Sequence, residues 1–276
     1  MYPTPGRMFM SRDCVMNRLS GRVAIVTGAA QGIGEGIVRR LAAEGAHVAV
    51  ADLNAAKAEA VAASLRAEGY PAIAVAVDVA DRKQVKAMIA ETVAAFGHID
   101  IVFNNAGFNK PLPFFDVDED NFNAIMRVNA LAVLIGMQEA ARQMIAQGHG
   151  GKIINTASIA GRQGYPEFAP YCASKAAVIS LTQAGARELA KYKITVNAFA
   201  PGVVVTPLWD GLEQDMIDKG VIRRKGEFIE SFSSSILIGH PSMPADLGGT
   251  AAFLASSDAD CITGQVIMAD GGMVLV

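Results

Sequence analysis

The stretch R-V-A-I-V-T-G-A-A-Q-G-I-G, from Arg22 to Gly34, decides the fold. Its first six residues form a β-branched run, which is typical of a short buried strand. Gly28 ends this run and permits a turn in which a Cβ atom would clash. Gly32 and Gly34 open a helical pattern and leave room for a phosphate at the helix N-terminus, where free N–H groups attract anions. The stretch therefore predicts a strand, a glycine turn and a helix that bind a nucleotide through Gly28, Gln31, Gly32, Ile33 and Gly34.

Strand and helix patterns alternate along the rest of the chain. The predicted strands are Arg22–Thr27, His47–Asp52, Ala72–Asp78, Asp100–Asn104, Gly151–Ser158, Lys193–Phe199 and Gln265–Ala269. Helical patterns lie between them, and the longest covers Glu119 to Gln147. This alternation predicts an α/β fold: a single doubly wound Rossmann-type domain with a seven-stranded, mostly parallel sheet and helices on both faces.

The sequence predicts an N-terminal extension followed by one domain, and the domain contains an inserted segment. Residues 1–18 have no central apolar block and predict a flexible N-terminal extension rather than a signal peptide. Residues 19–276 show no internal boundary and predict a single domain, which contains the nucleotide-binding turn. Within this domain, residues 206–239 are polar and weakly patterned, and they are too long for a plain connection. We interpret 206–239 as a lid inserted over the substrate.

Composition narrows the function classes. The 276 residues are 51% hydrophobic and 18% charged, with a net charge of −3 and no basic stripe, which argues against nucleic-acid binding. Cys14, Cys172 and Cys261 lie far apart, and the four histidines form no metal-binding spacing, so we expect no metal and a reduced, cytoplasmic setting. No apolar run approaches the ~18 residues of a membrane span.

Asp52 ends the second predicted strand, eighteen residues after Gly34. An acidic residue at about this distance from the glycine turn accepts hydrogen bonds from the adenosine ribose hydroxyls. Its charge also repels a 2′-phosphate, and the turn residues contain no Arg or Lys to hold one. Asp52 and the neighbouring Leu53 therefore favour NAD over NADP. The alternative is that Asp52 only caps the helix that follows.

Tyr171 and Lys175 lie four residues apart, which places both side chains on one face of a helix. A lysine ammonium beside a phenol favours the phenolate and lowers the tyrosine pKa. A tyrosine with such a pKa acts as a general acid or base. Ser158 precedes the pair and can donate a hydrogen bond to the same substrate oxygen. The alternative is a chance pairing on an ordinary helix.

Together these motifs resemble the short-chain dehydrogenase/reductase family. They appear in order as T-G-A-A-Q-G-I-G, Asp78-Val79, N-N-A-G from Asn104 to Gly107, Asn129, Ser158, Y-C-A-S-K from Tyr171 to Lys175, and P-G-V-V-V-T-P from Pro201. The resemblance covers the chain from about Leu19 to its end. Each motif is weak alone, but their joint order is specific to the family.

The resemblance implies roles for individual residues. Tyr171 is the acid/base, Ser158 orients the substrate oxygen, and Lys175 holds the nicotinamide ribose and lowers the Tyr171 pKa. Asn129 holds a water in a proton relay. The remaining implied cofactor contacts are Asp78, Val79, Asn105, Ala106, Gly107, Pro201, Gly202, Val204 and Thr206. The cofactor carries the hydride, while the protein supplies position and electrostatics.

The sequence identifies the substrate less clearly than the cofactor and the catalytic residues. Ser158, Ile159, Glu167 and Trp209 are the candidate substrate contacts, and the mixed apolar and polar character of their segments favours a small hydroxylated molecule. P-E-F-A-P-Y before the catalytic position resembles both acetoin reductases (2,3-butanediol dehydrogenases) and sorbitol-type polyol dehydrogenases, which these residues do not separate. A 3-oxoacyl-carrier-protein reductase is opposed by Asp52. A NAD-binding sensor without turnover is opposed by the intact set of four catalytic residues.

The resemblance also implies assembly. Relatives are usually homotetramers, and the apolar C-terminal sequence M-A-D-G-G-M-V-L-V is consistent with a buried terminus. The expected partners are therefore a small alcohol or ketone and further copies of this chain, with no nucleic acid and no membrane.

Overall fold

The computed structural model describes residues 17–206, 213–214, 216–218 and 222–276. Its strands are β1 (Val23–Thr27), β2 (His47–Asp52), β3 (Ala72–Ala76), β4 (Ile101–Asn104), β5 (Gly151–Thr156), β6 (Ile194–Pro201) and β7 (Val266–Ala269). Its helices are α1 (Gly32–Ala43), α2 (Ala55–Ala67), α3 (Arg82–Phe96), α4 (Glu119–Met126), α5 (Ala132–Gln147), α6 (Ala169–Leu189), α7 (Glu227–Ser233) and α8 (Pro244–Ala255). A π-helical turn, Arg127–Leu131, joins α4 to α5.

The seven strands form one sheet in the order β3-β2-β1-β4-β5-β6-β7. Every pairing between neighbouring strands is parallel. This confirms the predicted doubly wound α/β fold, with a sheet that is wholly rather than mostly parallel. The chain runs outward from β1 to β3 on one side and resumes at β4 on the other side of β1. Such a reversal of strand order opens a crevice at the carboxyl ends of β1 and β4.

Two apolar cores cover the two faces of the sheet. Side chains alternate along a strand, so Ala24 and Val26 of β1 face one core while Val23 and Ile25 face the other. The first core includes apolar side chains of α1, α2 and α8, and the second includes those of α3, α5 and α6. Because both faces are covered, the polar carboxyl ends of the strands become the natural place for a site.

The folded chain begins slightly earlier than the sequence predicts. Leu19 is fully buried. Arg18, assigned above to the flexible extension, forms an ion pair with the buried Glu44 at 2.6 Å and belongs to the fold. The Arg18 guanidinium helps to hold the pKa of the Glu44 carboxyl below its usual range, against the opposing effect of burial. Residues 1–16 of the predicted extension lie outside the described residues.

The helical stretch Glu119–Gln147 is long and apolar enough to cross a membrane by length and composition alone. However, 61% of its most apolar window is buried inside the protein, where α5 packs in the core beside the sheet. A mostly buried core helix of a soluble protein passes the same test. We therefore interpret this stretch as a core helix.

The predicted lid segment, 206–239, is described at residue 206, at 213–214, at 216–218 and from 222 onward. Met216 and Ile222 of this segment are buried in a small apolar cluster with Phe168 and Cys172. Phe168 and Cys172 flank the beginning of α6. The described part of the segment thus packs beside the helix that carries Tyr171.

Candidate active site

Glycines shape the turn between β1 and α1. Gly28 has a positive φ of 65°, and a Cβ atom there would lie 2.8 Å from the Cα of Ala106. A Cβ atom on Gly34 would lie 2.1 Å from the carbonyl oxygen of Gly28. No side chain caps the N-terminus of α1, because the side chain of Gln31, the residue before it, makes no capping hydrogen bond. The turn therefore presents free backbone N–H groups in a space that only glycine leaves open.

Hydrogen bonds join the carboxyl ends of three strands beneath this turn. The Thr27 hydroxyl accepts from the N–H groups of Asn105 at 3.0 Å and Ala106 at 3.1 Å. The Asn105 amide nitrogen donates to the Thr27 carbonyl at 2.9 Å, and the Thr156 hydroxyl donates to Asn105 Oδ1 at 3.1 Å. These bonds among Thr27, Asn105 and Thr156 tie the carboxyl ends of β1, β4 and β5 together, and we call this bonded group the floor of the crevice.

Asp52 stands at the end of β2 with both carboxylate oxygens engaged. Oδ2 accepts from the N–H of Ala30 at 3.0 Å, and Oδ1 accepts from the N–H of Asn54 at 2.9 Å. These bonds fix the carboxylate beside the glycine turn. Lys57 lies at the same end of the crevice, where its Nζ donates to Gln31 Oε1 at 3.0 Å.

Asp78, just after β3, forms hydrogen bonds with residues that follow it closely in the chain. Asp78 Oδ1 accepts from the N–H of Ala80 at 2.9 Å, and the Asp78 N–H donates to Gln84 Oε1 at 2.8 Å. These bonds fix the backbone on which Asp78 and Val79 reach the crevice.

Tyr171, Lys175 and Ser158 meet at the other end of the crevice. Lys175 Nζ donates to the Thr156 carbonyl at 2.8 Å and lies 5.6 Å from the centroid of the Tyr171 ring. The Ser158 hydroxyl accepts from the N–H of Ala160 at 3.1 Å. Ser158 and Lys175 are buried, with 8% and 4% of their surface exposed. The predicted four-residue spacing therefore places both α6 side chains at the end of β5.

Burial controls both ionisable groups of this cluster. It lowers the pKa of the Lys175 ammonium to about 8. It also raises the pKa of the Tyr171 phenol, and a hydrogen bond with Ser158 opposes that rise. The expectation that Lys175 lowers the Tyr171 pKa is therefore wrong for this structure, because desolvation of the phenol outweighs the other effects.

Asn129 lies in the π-helical turn and is fully buried. Its side chain binds the backbone of Phe108 twice: Oδ1 accepts from the N–H at 3.0 Å, and Nδ2 donates to the carbonyl at 2.9 Å. A Cβ atom on Gly107 would lie 3.1 Å from Asn129 Oδ1 and 3.7 Å from Lys175 Nζ. Gly107 thus lies close to both Asn129 and Lys175. The two hydrogen bonds from Asn129 to Phe108 hold the loop after β4 in place.

One cavity of about 590 Å³ joins the two ends of the crevice. Apart from Asn129, it is lined by all the predicted cofactor and catalytic residues: Gly28, Gln31, Gly32, Ile33, Gly34, Asp52, Leu53, Asp78, Val79, Asn105, Ala106, Gly107, Ser158, Tyr171, Lys175, Pro201, Gly202, Val204 and Thr206. The glycine turn, the uncapped helix and the fixed carboxylate fit a dinucleotide that extends from Asp52 toward Tyr171.

Of the four predicted substrate contacts, two line the cavity, one does not, and one lies outside the described residues. Ser158 and Ile159 line the cavity. Glu167 is absent from the cavity lining; its backbone is strained at φ 59°, and its carbonyl accepts from the N–H of Leu112 at 3.1 Å. Trp209 lies outside the described residues.

Sequence reasoning missed several lining residues. Thr156 lines the cavity and binds Lys175 through its carbonyl, a backbone group that no side-chain pattern reveals. Val128 also lines it, and so does Tyr165, which lies in the stretch Ile159 to Phe168 that was expected to face the substrate. Burial raises the pKa of Tyr165, so its phenol stays protonated at neutral pH. Within the described part of the chain, no group of three or more His, Cys, Asp or Glu side chains is placed to hold a metal ion.

A glycine turn at a reversal of strand order, followed by an acidic residue at the end of β2, defines a dinucleotide-binding protein. The buried Ser158 and Lys175 lie with Tyr171 at the far end of the same cavity, and all three carry groups that can exchange protons. Residues 22–217 match the family model described as short chain dehydrogenase. The chain belongs to this family and is an oxidoreductase, and the family binds a nicotinamide cofactor.

Named relatives agree with this assignment. The chain is 40% identical to a diacetyl reductase [(S)-acetoin forming] of Staphylococcus epidermidis (92% of this chain, 98% of the relative). It is 41% identical to a sorbitol dehydrogenase of Cereibacter sphaeroides, with the same coverage. A gluconate 5-dehydrogenase of Burkholderia cenocepacia J2315, solved with NADP and tartrate, superposes with a TM-score of 0.84 at 38% identity (94% of this chain, 97% of that chain). These findings confirm the predicted family and its acetoin and polyol branch.

Proposed function

We propose that this protein is a NAD-dependent oxidoreductase that interconverts the secondary alcohol and the ketone of a small polyol or vicinal diol. The observation that carries the proposal is the continuous cavity with Asp52 at one end and Ser158, Tyr171 and Lys175 at the other. A dinucleotide bound across it has its adenosine beside the carboxylate and its reactive ring beside the phenol.

The residues of the acid/base end have separate tasks in this proposal. When bound, the cofactor supplies or accepts the hydride. Tyr171 transfers the proton to or from the substrate oxygen, and Ser158 hydrogen-bonds that oxygen. Because burial raises the Tyr171 pKa, the phenol holds its proton at neutral pH and is ready to act as the acid in ketone reduction. Lys175, fixed by Thr156, holds the nicotinamide ribose, and Asn129 positions the loop and the proton relay.

The remaining cofactor contacts are proposed from the cavity lining. The phosphates bind at the N-terminus of α1, where Gln31 leaves the backbone uncapped. The ribose and adenine lie against Asp52, Leu53, Asp78 and Val79, and the nicotinamide end lies against Asn105, Ala106, Gly107, Pro201, Gly202, Val204 and Thr206.

The fixed carboxylate of Asp52 supports NAD as the cofactor. A 2′-phosphate beside Asp52 would place like charges together, which costs binding free energy. The solved gluconate 5-dehydrogenase contains NADP, and Lys57 lies near the same end of our cavity, so a test is required. Initial rates with NAD and NADP measure the preference directly; a higher kcat/KM with NADP would contradict the proposal.

Two substrate classes follow from the relatives. The sorbitol dehydrogenase favours a polyol, while the staphylococcal diacetyl reductase favours acetoin or diacetyl as the second candidate. A 3-oxoacyl-carrier-protein reductase is a weaker alternative, because that activity normally uses NADPH. A NAD-binding sensor is opposed by the intact Asn129, Ser158, Tyr171 and Lys175.

A NAD-reduction screen over sugar alcohols, 2,3-butanediols and 3-hydroxyacyl thioesters tests the function. We expect turnover with a diol or polyol and none with the thioesters. The Tyr171→Phe protein is the matched control, because it removes one hydroxyl from the site. Turnover restricted to thioesters, or NAD binding with no turnover on any alcohol, would contradict the proposal.

The setting and assembly are part of the proposal. We propose a cytoplasmic homotetramer, with residues 206–239 as a lid over the substrate and without nucleic-acid or membrane partners. Exposed apolar side chains support the assembly: Leu275 and Val276 near the C-terminus are 79% and 77% exposed, and Leu237 is 71% exposed. Light scattering measures the assembly, and a monomer would contradict it.

A further inference from the structure

Ser174 lies on α6 between Tyr171 and Lys175, and it is fully buried. Its hydroxyl donates to the carbonyl of Tyr171 at 2.7 Å and accepts from Asn129 Nδ2 at 3.2 Å. Ser174 is not one of the described residues that line the cavity. Any effect of this hydroxyl on the site must therefore pass through its two partners.

The hydrogen bonds of the Asn129 amide allow only one orientation of that group. Both hydrogens of Nδ2 are used, one on the Phe108 carbonyl and one on Ser174 Oγ. A hydroxyl has a single proton to donate, and Ser174 gives its proton to the Tyr171 carbonyl. A reversed amide would place Asn129 Oδ1 against two acceptors, the Phe108 carbonyl and Ser174 Oγ. Ser174 thus helps to keep Asn129 Oδ1 on the N–H of Phe108.

The same bonds join α6 to the loop after β4. Asn129 lies in the π-helical turn and holds Phe108 of that loop on one side and Ser174 of α6 on the other. Gly107, the residue before Phe108, lies close to Lys175, since a Cβ atom on it would be 3.7 Å from Nζ. Gly107 and Phe108 both line the cavity. The bonds through Ser174 therefore fix α6 relative to a loop that borders the site.

We propose that Ser174 is a positioning residue that acts through Asn129 to hold the loop after β4 in the arrangement that proton transfer at Tyr171 and Lys175 requires. The inference rests on the proposed function, in which Asn129 positions the loop and the proton relay. Alanine at position 174 leaves one buried Nδ2 hydrogen without its acceptor, which is unfavourable, so the amide is expected to shift. A small misplacement of groups around a reacting centre lowers the rate strongly.

The kinetic test uses the full-length protein with butane-2,3-diol or sorbitol at saturating NAD. Ser174→Ala is expected to lower kcat about tenfold. A residue that acts only through a second residue causes no further loss once the second is removed, so Ser174→Ala added to Asn129→Ala should lower kcat less than about twofold. Ser180→Ala, an exposed serine on the same helix, is the matched control and should keep the wild-type kcat.

Ser174→Cys separates hydrogen bonding from packing. The thiol fills the space of the hydroxyl but is a weak acceptor, so its kcat should stay within about threefold of that of Ser174→Ala. A kcat restored to the wild-type value in Ser174→Cys would show that a void causes the loss, and would overturn the proposal. If Ser174→Ala does not fold, as judged by its thermal unfolding, Ser174→Cys is compared with the wild type in its place.

Hydrogen exchange of the Phe108 N–H tests the same bonds without turnover. Because this N–H is bonded to Asn129 Oδ1, Ser174→Ala should speed its exchange at least about tenfold, and Ser180→Ala should not. Unchanged exchange at Phe108, an unchanged kcat, or losses that multiply in the double variant would overturn the assignment of Ser174. Faster exchange at Phe108 in Ser174→Ala, with a wild-type protein that oxidises neither substrate nor any other polyol, would instead overturn the proposed function.

Discussion

Lys175 Nζ donates a hydrogen bond to the carbonyl oxygen of Thr156 at 2.8 Å, so the last residue of β5 fixes the cation of α6. Thr156 also holds Asn105 through its hydroxyl at 3.1 Å. Thr156 thus connects α6, the helix of the proposed acid/base pair, to the floor of the proposed nucleotide-binding crevice. The position of Lys175 beside the Tyr171 ring is consequently set by the sheet.

Lys175→Met tests the effect of burial on that lysine. Burial lowers the Lys175 pKa from 10.5 to about 8, so between these values the unfolded chain binds one more proton than the folded protein. The free energy of unfolding of the wild type should therefore rise with pH across this window, by about 3 kcal/mol relative to Lys175→Met. Urea unfolding at about pH 7 and about pH 10.5 measures the difference.

Lys191→Met is the matched control for this experiment. Lys191 also lies near a tyrosine ring, 5.2 Å from the centroid of Tyr192, but it is exposed. Its substitution should leave the pH dependence of the wild type unchanged. Parallel stability curves for wild type and Lys175→Met would show that burial does not lower the Lys175 pKa.

Tyr171→Phe should reduce kcat by about 10²- to 10⁴-fold, because it removes the proposed proton donor and acceptor. The ring and its packing against Phe168 at 6.2 Å remain. NAD binding, followed by fluorescence titration, should change little. Tyr192→Phe, three residues beyond the end of α6, controls for the loss of a phenol, and near wild-type turnover by Tyr171→Phe would refute the assignment.

Asp52→Ser should change cofactor preference. Removing the carboxylate removes its repulsion of a 2′-phosphate and leaves Lys57 nearby, so the ratio of kcat/KM for NADP to that for NAD should rise at least about tenfold. Adding Lys57→Ala to this variant should reverse part of the rise. Asp120→Ser, an exposed acid on α4, is the control. A ratio unaffected by Asp52→Ser would remove the basis for predicting NAD.

Gly34→Ala should disrupt the turn itself. Its Cβ atom would lie 2.1 Å from the Gly28 carbonyl and 2.7 Å from Asn105 Nδ2, and such overpacking typically costs about 1–3 kcal/mol. Both the free energy of unfolding and NAD affinity should fall. Gly249→Ala in α8, where a Cβ meets nothing within 4 Å, should instead be neutral or slightly stabilising. Equal effects of the two substitutions would contradict the proposed role of Gly34.

Side-chain patterns predicted the sheet and most of the cavity, because they record what each strand and turn requires locally. The run before Gly28 gave β1, and Asp52 lies at the end of β2 as expected. The features that the sequence did not predict depend on groups that side-chain patterns do not encode. The Thr156 carbonyl that binds Lys175 is a backbone group. The Tyr171 pKa is raised by burial, which depends on how the folded chain packs. Glu167 binds Leu112 through its backbone carbonyl and does not line the cavity with its carboxylate.

The bonds among Thr27, Asn105 and Thr156 have a consequence for protein engineering. They place the floor of the proposed nucleotide-binding crevice inside the hydrogen-bond network that holds the ends of β1, β4 and β5 together. Substitutions that loosen this floor also loosen the sheet, whereas the loop at Phe108 and the segment at Ile159 and Ala160 line the cavity without taking part in these bonds. Libraries intended to change substrate preference are therefore best confined to those two segments.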